Sequence, residues 1–240
     1  PIALGEGDKW PGHFWWVYLA LRIGGGDAFL AAYNREGSFA DEPFVQAGER
    51  LAELVALDPF QEGFLAANYG QEAALVGDGQ AAMELMGQWA PAVQADSSEQ
   101  GGIGEALGWF PFPTVEGGVG DPADVLGGGD GFSVGVNAPD EAVAFLKYIT
   151  SPEVQIASVE PLGILPTAAN TESAIAGNAI METILSFRNN APYFQLYYDQ
   201  FLPPAVAGAV ADATQGLFAK ALTPEEAAAA IEETAAFELE

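Results

Sequence analysis

The chain is 240 residues long and half apolar, with seven basic residues against 34 acidic ones and a formal net charge of −27 at pH 7. That length supports one large domain or two small lobes with cores of their own, and that charge repels phosphate backbones and anionic membranes, which argues against nucleic acid as a partner. Cysteine is absent, which excludes a disulfide framework, a thiol nucleophile and a thiolate metal site. The longest apolar run, 14–21, falls well short of the ~18 residues that cross a bilayer, so no transmembrane helix is expected. The first eight residues lack the basic and apolar regions of a signal peptide.

After a short extended segment at 1–7, Pro11 and Gly12 open a dense aromatic and aliphatic run, predicted as a buried helix that stops at 24–26. Its rings fall on several sides, more than one packing stripe needs, so some face a groove unless a core takes them all. Trp10, at the turn, is a candidate for stacking on a ligand, while Trp15, Trp16 and Tyr18 read as core. His13, the only histidine, lacks the neighbours of a metal site and reads as a structural or ligand hydrogen-bonding residue. Past Asp41, residues Phe44, Ala47, Leu51, Leu54 and Val55 form the apolar stripe of a scaffold helix, with Gln46, Glu49, Arg50 and Glu53 opposite. A loop at 58–64 leads to a helix over 69–76.

Residues 75–91 are the most informative stretch. Gly77 and Gly79 end the preceding helix, 81–86 is an apolar run of strand length, and Gly87 turns the chain into a helix opened by Gln88 and Trp89, with Pro91 in its first turn. Trp89 therefore stands past the end of a predicted strand, where α/β folds bind ligands, or else it fills the core. Further strands are predicted over 107–113, with Trp109 and Phe110 read as core, and over 132–136, after the glycines at 127–129 and 131. Gly131 to Gly135 also fits the G-x-S-x-G elbow of hydrolases, but a strand continues there and the sole His lies upstream, so that motif is rejected.

Helices are predicted over 139–150, from Ser151 onward, over 179–188, 204–222 and 224–237, the last opened by a capping box at Thr223 and Glu226. If 191–200 is helical, Gln195, Tyr198 and Asp199 share one face. An amide, a ring and a carboxylate there suit the hydroxyls and apolar C–H faces of a sugar, or else form a solvated polar face.

Gly79, Ala81, Ala82 and Met83, followed by Gly87 and Trp89, resemble the sugar-binding signature of bacterial extracellular solute-binding proteins, the ligand-capturing subunits of carbohydrate ABC importers. Further segments match in the same order: Trp10, Pro11, His13 and Trp15; Pro111, Phe112 and Pro113; Ala142, Phe145, Leu146, Tyr148, Ser151, Pro152, Glu153 and Gln155; Gly163 and Pro166; and 223–227. Lys220 and Ala221 replace the glycine usual before that last segment, a departure that touches only turn geometry.

The resemblance implies an α/β, periplasmic-binding-protein-like (type II) two-lobe fold, here mainly the C-terminal lobe. Residues 1–128 and 175–240 would belong to that lobe and 129–174 to the N-terminal lobe, with the export signal and any lipid anchor upstream. Trp89 and Trp10 would stack on the ligand. Gly129, Asp130, Gln195 and Asp199 would bind hydroxyls, with His13 and Tyr198 beside them. No Arg or Lys joins these positions to hold a phosphate or carboxylate, so the implied ligand is a neutral mono- or oligosaccharide. The implied partners are the ABC permease subunits, and the protein would be extracytoplasmic and monomeric, without metal, cofactor or catalytic residues. A glycosidase is the competing reading and needs two carboxyls about 5–9.5 Å apart; among 34 acidic residues such a pair can always be named. A ligand-free interaction scaffold is the third.

Overall fold

Helix α1 (Trp10–Tyr33) is the spine of the fold and buries Phe14, Trp16, Val17, Leu19, Ala20 and Ile23. The structure is a computed structural model that describes residues 1–239. At the predicted stop α1 bends instead: Gly25 takes φ 66° and ψ −179°, and the helix resumes to Tyr33. Phe29 and Ala32 explain the resumption, because they give its second half a buried face.

Helix α2 (Glu42–Ala56) buries the predicted stripe of Phe44, Ala47, Leu51 and Val55. Two later helices, separated from it by most of the chain, complete the same core. From α9 (Pro204–Phe218) come Val206, Val210, Leu217 and Phe218, and from α10 (Pro224–Glu238) come Ala227, Ile231 and Ala235 at helical spacing. Each large apolar side chain buried this way contributes roughly 1.5–3 kcal/mol. The capping box of α10 forms as predicted: Glu226 N–H donates to Thr223 Oγ1 (3.2 Å) and Thr223 N–H to Glu226 Oε2 (2.9 Å). Helices α3 (Tyr69–Gly77) and α4 (Ala90–Ser97) pack on each other at one end of α1.

The three predicted strands do not form. In 81–86 only Met83 makes a bridge, to Ile2, which also bridges Phe60. An apolar run becomes a strand only where a neighbour pairs along its length, and 81–86 has a single such contact. Residues 107–113 are irregular, with Phe110 61 % exposed rather than in the core, and 132–136 is exposed throughout. The sheet found among the described residues is a parallel pair the sequence pattern did not mark. In it β1 (Val125–Gly127) lies beside β2 (Phe194–Leu196), with Leu126 opposite Gln195.

Between these strands the chain makes an excursion through α5 (Asp140–Ile149), α6 (Pro152–Leu162) and α7 (Ala179–Asn189). A small separate core joins Val159, Ile175 and Met181, with Leu165 and Leu185 against it, so side-chain packing continues past residue 174. Helix α5 buries nothing and leaves Val143, Phe145 and Tyr148 exposed. No described helix is long and apolar enough to cross a membrane.

Candidate functional site

The first turn of α1, the first turn of α3 and the loop before α4 bring four rings together. Trp10 lies 4.9 Å from Tyr69, 6.4 Å from Trp89 at an interplanar angle of 55°, and 5.5 Å from Phe14. Phe14 in turn stacks on Tyr197, 4.6 Å away. Trp10, Tyr69, Trp89 and Tyr197 are all half-buried. The Gly-x-Trp spacing has a steric cause: a Cβ on Gly87 would stand 2.1 Å from Trp89 Cζ3, so the indole folds back over a position only glycine can occupy.

Beside the rings His13 is buried. Its Nδ1 is 2.7 Å from the Trp10 carbonyl oxygen, and its Nε2 has no hydrogen-bond partner and lies 3.7 Å from Asp199 Oδ1. Burial holds the imidazole below the usual histidine pKa, opposed by the Asp199 carboxylate. Burial, then Tyr18, Asp199 and Asp130, push the Tyr197 phenol up, which puts both exposed carboxylates within electrostatic reach of that ring.

Gly129 N–H donates to Gln200 Oε1 at 3.1 Å, where the chain leaves β1. A Cβ on the preceding Gly128 would lie 2.1 Å from that oxygen and 2.4 Å from Tyr197 Cδ2. Gln200 can swing aside, but Tyr197 is held by its stack on Phe14. Gly128→Ala is therefore expected to cost about 1–3 kcal/mol of stability by overpacking, read as a lower denaturant midpoint at unchanged slope.

Two predicted site residues are placed elsewhere. Residues 191–200 are not one helix: Phe194–Leu196 is β2 and α8 (Tyr198–Phe201) is a single turn. Gln195 is buried, accepting from Tyr193 O–H (3.0 Å) and donating from Nε2 to the Leu196 carbonyl (2.8 Å). Tyr198 is buried in the main core against Phe29 (4.4 Å). Asp199 alone of the three is exposed. Sequence reasoning missed Tyr69, Tyr197 and Gln200. The Asn68 and Gln71 capping box, which fixes Tyr69 at the start of α3, is the signal that could have placed the first of them.

Close by, Glu6 and Glu72 are fully buried, and burial pushes both carboxyls up to about 9. Concavities of about 500 Å³, along Glu182, Ser186, Phe187 and Asn190, and of about 220 Å³, along Gly25, Asp121, Asp124 and Tyr193, do not include the rings. Among the described residues no group of His, Asp and Glu is arranged to hold a metal ion.

Solved structures give the class. A protein from work on xylan utilisation by the thermophilic bacterium Caldanaerobius polysaccharolyticus matches with a TM-score of 0.81 at 27% identity, over 97% of this chain and 60% of that one. A chitin oligosaccharide binding protein matches at 0.86 and 21% identity, over 100% of this chain and 60% of that one. The bacterial solute receptor AcbH, described as having an exclusive preference for β-D-galactopyranose, matches at 0.71 and 21% identity, over 100% of this chain and 61% of that one. The fold is that of the type II periplasmic sugar-binding proteins.

The sequence model of the bacterial extracellular solute-binding proteins matches residues 1–156, and the chain belongs to that family. An uncharacterized ABC transporter extracellular-binding protein of Pyrococcus horikoshii is 31% identical over 111 residues, 46% of this chain and 22% of that protein. The chain spans about 60% of the length of the structural relatives. The family, and the relatives whose role is named, are solute-binding proteins, not enzymes.

Proposed function

We propose that the chain is the greater part of the substrate-binding component of a carbohydrate ABC importer, and that Trp10, Tyr69, Trp89 and Tyr197 make the stacking surface of its sugar site. The observation that carries this is the meeting of Trp10, Tyr69 and Trp89, joined through buried Phe14 to Tyr197, with the exposed carboxylates of Asp130 and Asp199 in electrostatic reach of that last ring. Flat rings cover the apolar C–H faces of a pyranose, and carboxylates take its hydroxyl protons. The saccharide is free of anionic groups, because the two carboxylates would repel one. The saccharide-binding relatives support the same ligand class.

The excursion between β1 and β2 forms part of a second lobe, whose closure over the rings would complete the cleft and present the loaded protein to the permease, outside the cytoplasm. The exposed faces of α5 and 132–136 are the surfaces that the rest of that lobe would cover. Calorimetric titration with a panel of mono- and oligosaccharides is the test: stoichiometric heat without product is expected. Trp89→Ala should weaken the binding sugar by about 1–3 kcal/mol. Unchanged affinity in that variant would remove the rings from the site.

A further inference from the structure

The Trp10 carbonyl oxygen, 2.7 Å from His13 Nδ1, can only accept, so the ring proton sits on Nδ1 and Nε2 is left as an acceptor. That nitrogen is buried, without a partner, and faces a second acceptor, Asp199 Oδ1, at 3.7 Å. Two acceptors so placed repel each other, whereas one donor nitrogen about 2.8 Å from each would satisfy both. Asp130 adds a second carboxylate in electrostatic reach of the Tyr197 phenol, and Phe14 touches both the His13 ring (4.8 Å) and the Tyr197 ring (4.6 Å).

Among the described residues no Lys or Arg pairs with these groups. Lys9 pairs with Asp212, Arg35 with Glu232 and Arg50 with Glu53. Arg22 is buried against backbone carbonyls, Arg188 bonds Asn189, Lys147 is on α5 and Lys220 follows α9. A hydroxyl brings one proton to this acceptor set. An ammonium brings three together with a charge that carboxylates and ring faces both attract, in a protein whose net charge of −27 already concentrates cations.

We propose that the sugar this site takes carries a primary amine, held as an ammonium by His13 Nε2 and Asp199 beside the Phe14 and Tyr197 rings. This rests on the saccharide-binding reading and narrows its ligand from neutral to cationic.

The test is calorimetry on the full-length protein with glucosamine oligomers and their N-acetylated counterparts, at low and high salt, for wild type and Asp199→Asn. The Asp199 side chain is 42% exposed, so the amide leaves the core undisturbed. The amine form should bind at least about tenfold tighter than the N-acetyl form, and the advantage should shrink as salt screens the pair. In Asp199→Asn the ratio of the two affinities should fall to within about twofold, whatever the substitution does to saccharide binding as a whole. Equal or tighter binding of the N-acetyl form overturns the proposal and leaves the saccharide reading standing. Equal binding of ethanolamine, a cation without a sugar ring, overturns it as general attraction. Failure of every saccharide, neutral ones included, overturns both.

Discussion

Raising the pH from 4.5 to about 9 is expected to remove several kcal/mol of folding stability through two carboxyls, Glu6 and Glu72. Both are fully shielded from solvent, and burial is the main cause that raises each. For Glu6 the Gly12 backbone and the charge of Lys9 oppose it only in part; for Glu72 the nearby Glu84 raises it further and Gly5 N–H, donating to Oε2 at 2.7 Å, opposes. A carboxyl whose folded pKa is raised leaves stability intact below its unfolded value, because both states then hold the proton. Above it the folded state must keep a proton that the unfolded state has released, so stability falls until the folded pKa is passed. The window is therefore 4.5 to about 9, at about 1.4 kcal/mol for each pH unit and each group. The two groups interact, so the losses do not simply add. Glu6→Gln and Glu72→Gln should each raise the midpoint of urea unfolding at pH 8 and flatten its pH dependence. Exposed Glu62→Gln removes the same unit of net charge and serves as the control. If all three variants gained equally, the effect would be relief of the overall charge and not of buried carboxyls.

The same carboxyls show what the sequence could and could not display. Helix boundaries were legible wherever a local signal sets them: Thr223 with Glu226 at α10, Ser151 before α6, the apolar stripe of α2. Each of those signals acts within four residues. Strands were not legible, because pairing is a property of two segments: 81–86 has the composition of a strand and meets only Ile2, while Val125–Gly127 lies among glycines and finds Phe194–Leu196. For the same reason nothing local marks Glu6 and Glu72 among 34 acidic residues; it is the folded chain that takes them from water, with Gly12 against the one and Gly5 N–H on the other. At the site, Trp10 and Trp89 were visible through their motifs, and the structure sets them 6.4 Å apart. Gln195 and Tyr198 were misjudged because β2 ends between them, which sends both side chains inward and leaves Asp199 outside.

Arg22→Met is expected to cost about 3 kcal/mol or more, and to loosen the strand from which the chain crosses to its excursion. Arg22 is 1 % exposed, yet no carboxylate bonds it among the described contacts. Its Nε and Nη2 donate to the Phe112 carbonyl (3.4 and 3.2 Å), Nη1 to those of Asp121 and Asp124 (3.2 and 3.1 Å), and Nη2 also to that of Pro122 (3.1 Å). The planar fork thus gathers the loop before β1 onto α1, where Gly120 N–H returns a bond to the Arg22 carbonyl (3.1 Å). One turn earlier Tyr18 stacks on Phe112 at 4.7 Å, lies 5.3 Å below the guanidinium, and accepts from the N–H of Leu126 in β1 (3.3 Å). Methionine fills much of the volume but leaves four carbonyls without donors, each worth about 1–3 kcal/mol where water does not reach it. Lysine restores the charge without the fork and should recover little. Hydrogen exchange gives the sharper reading: the amides of 125–127 should exchange faster in Arg22→Met, while those of α10 change only as far as global stability does. Uniform acceleration across both would make Arg22 a general prop of the fold and not the anchor of the crossing strand.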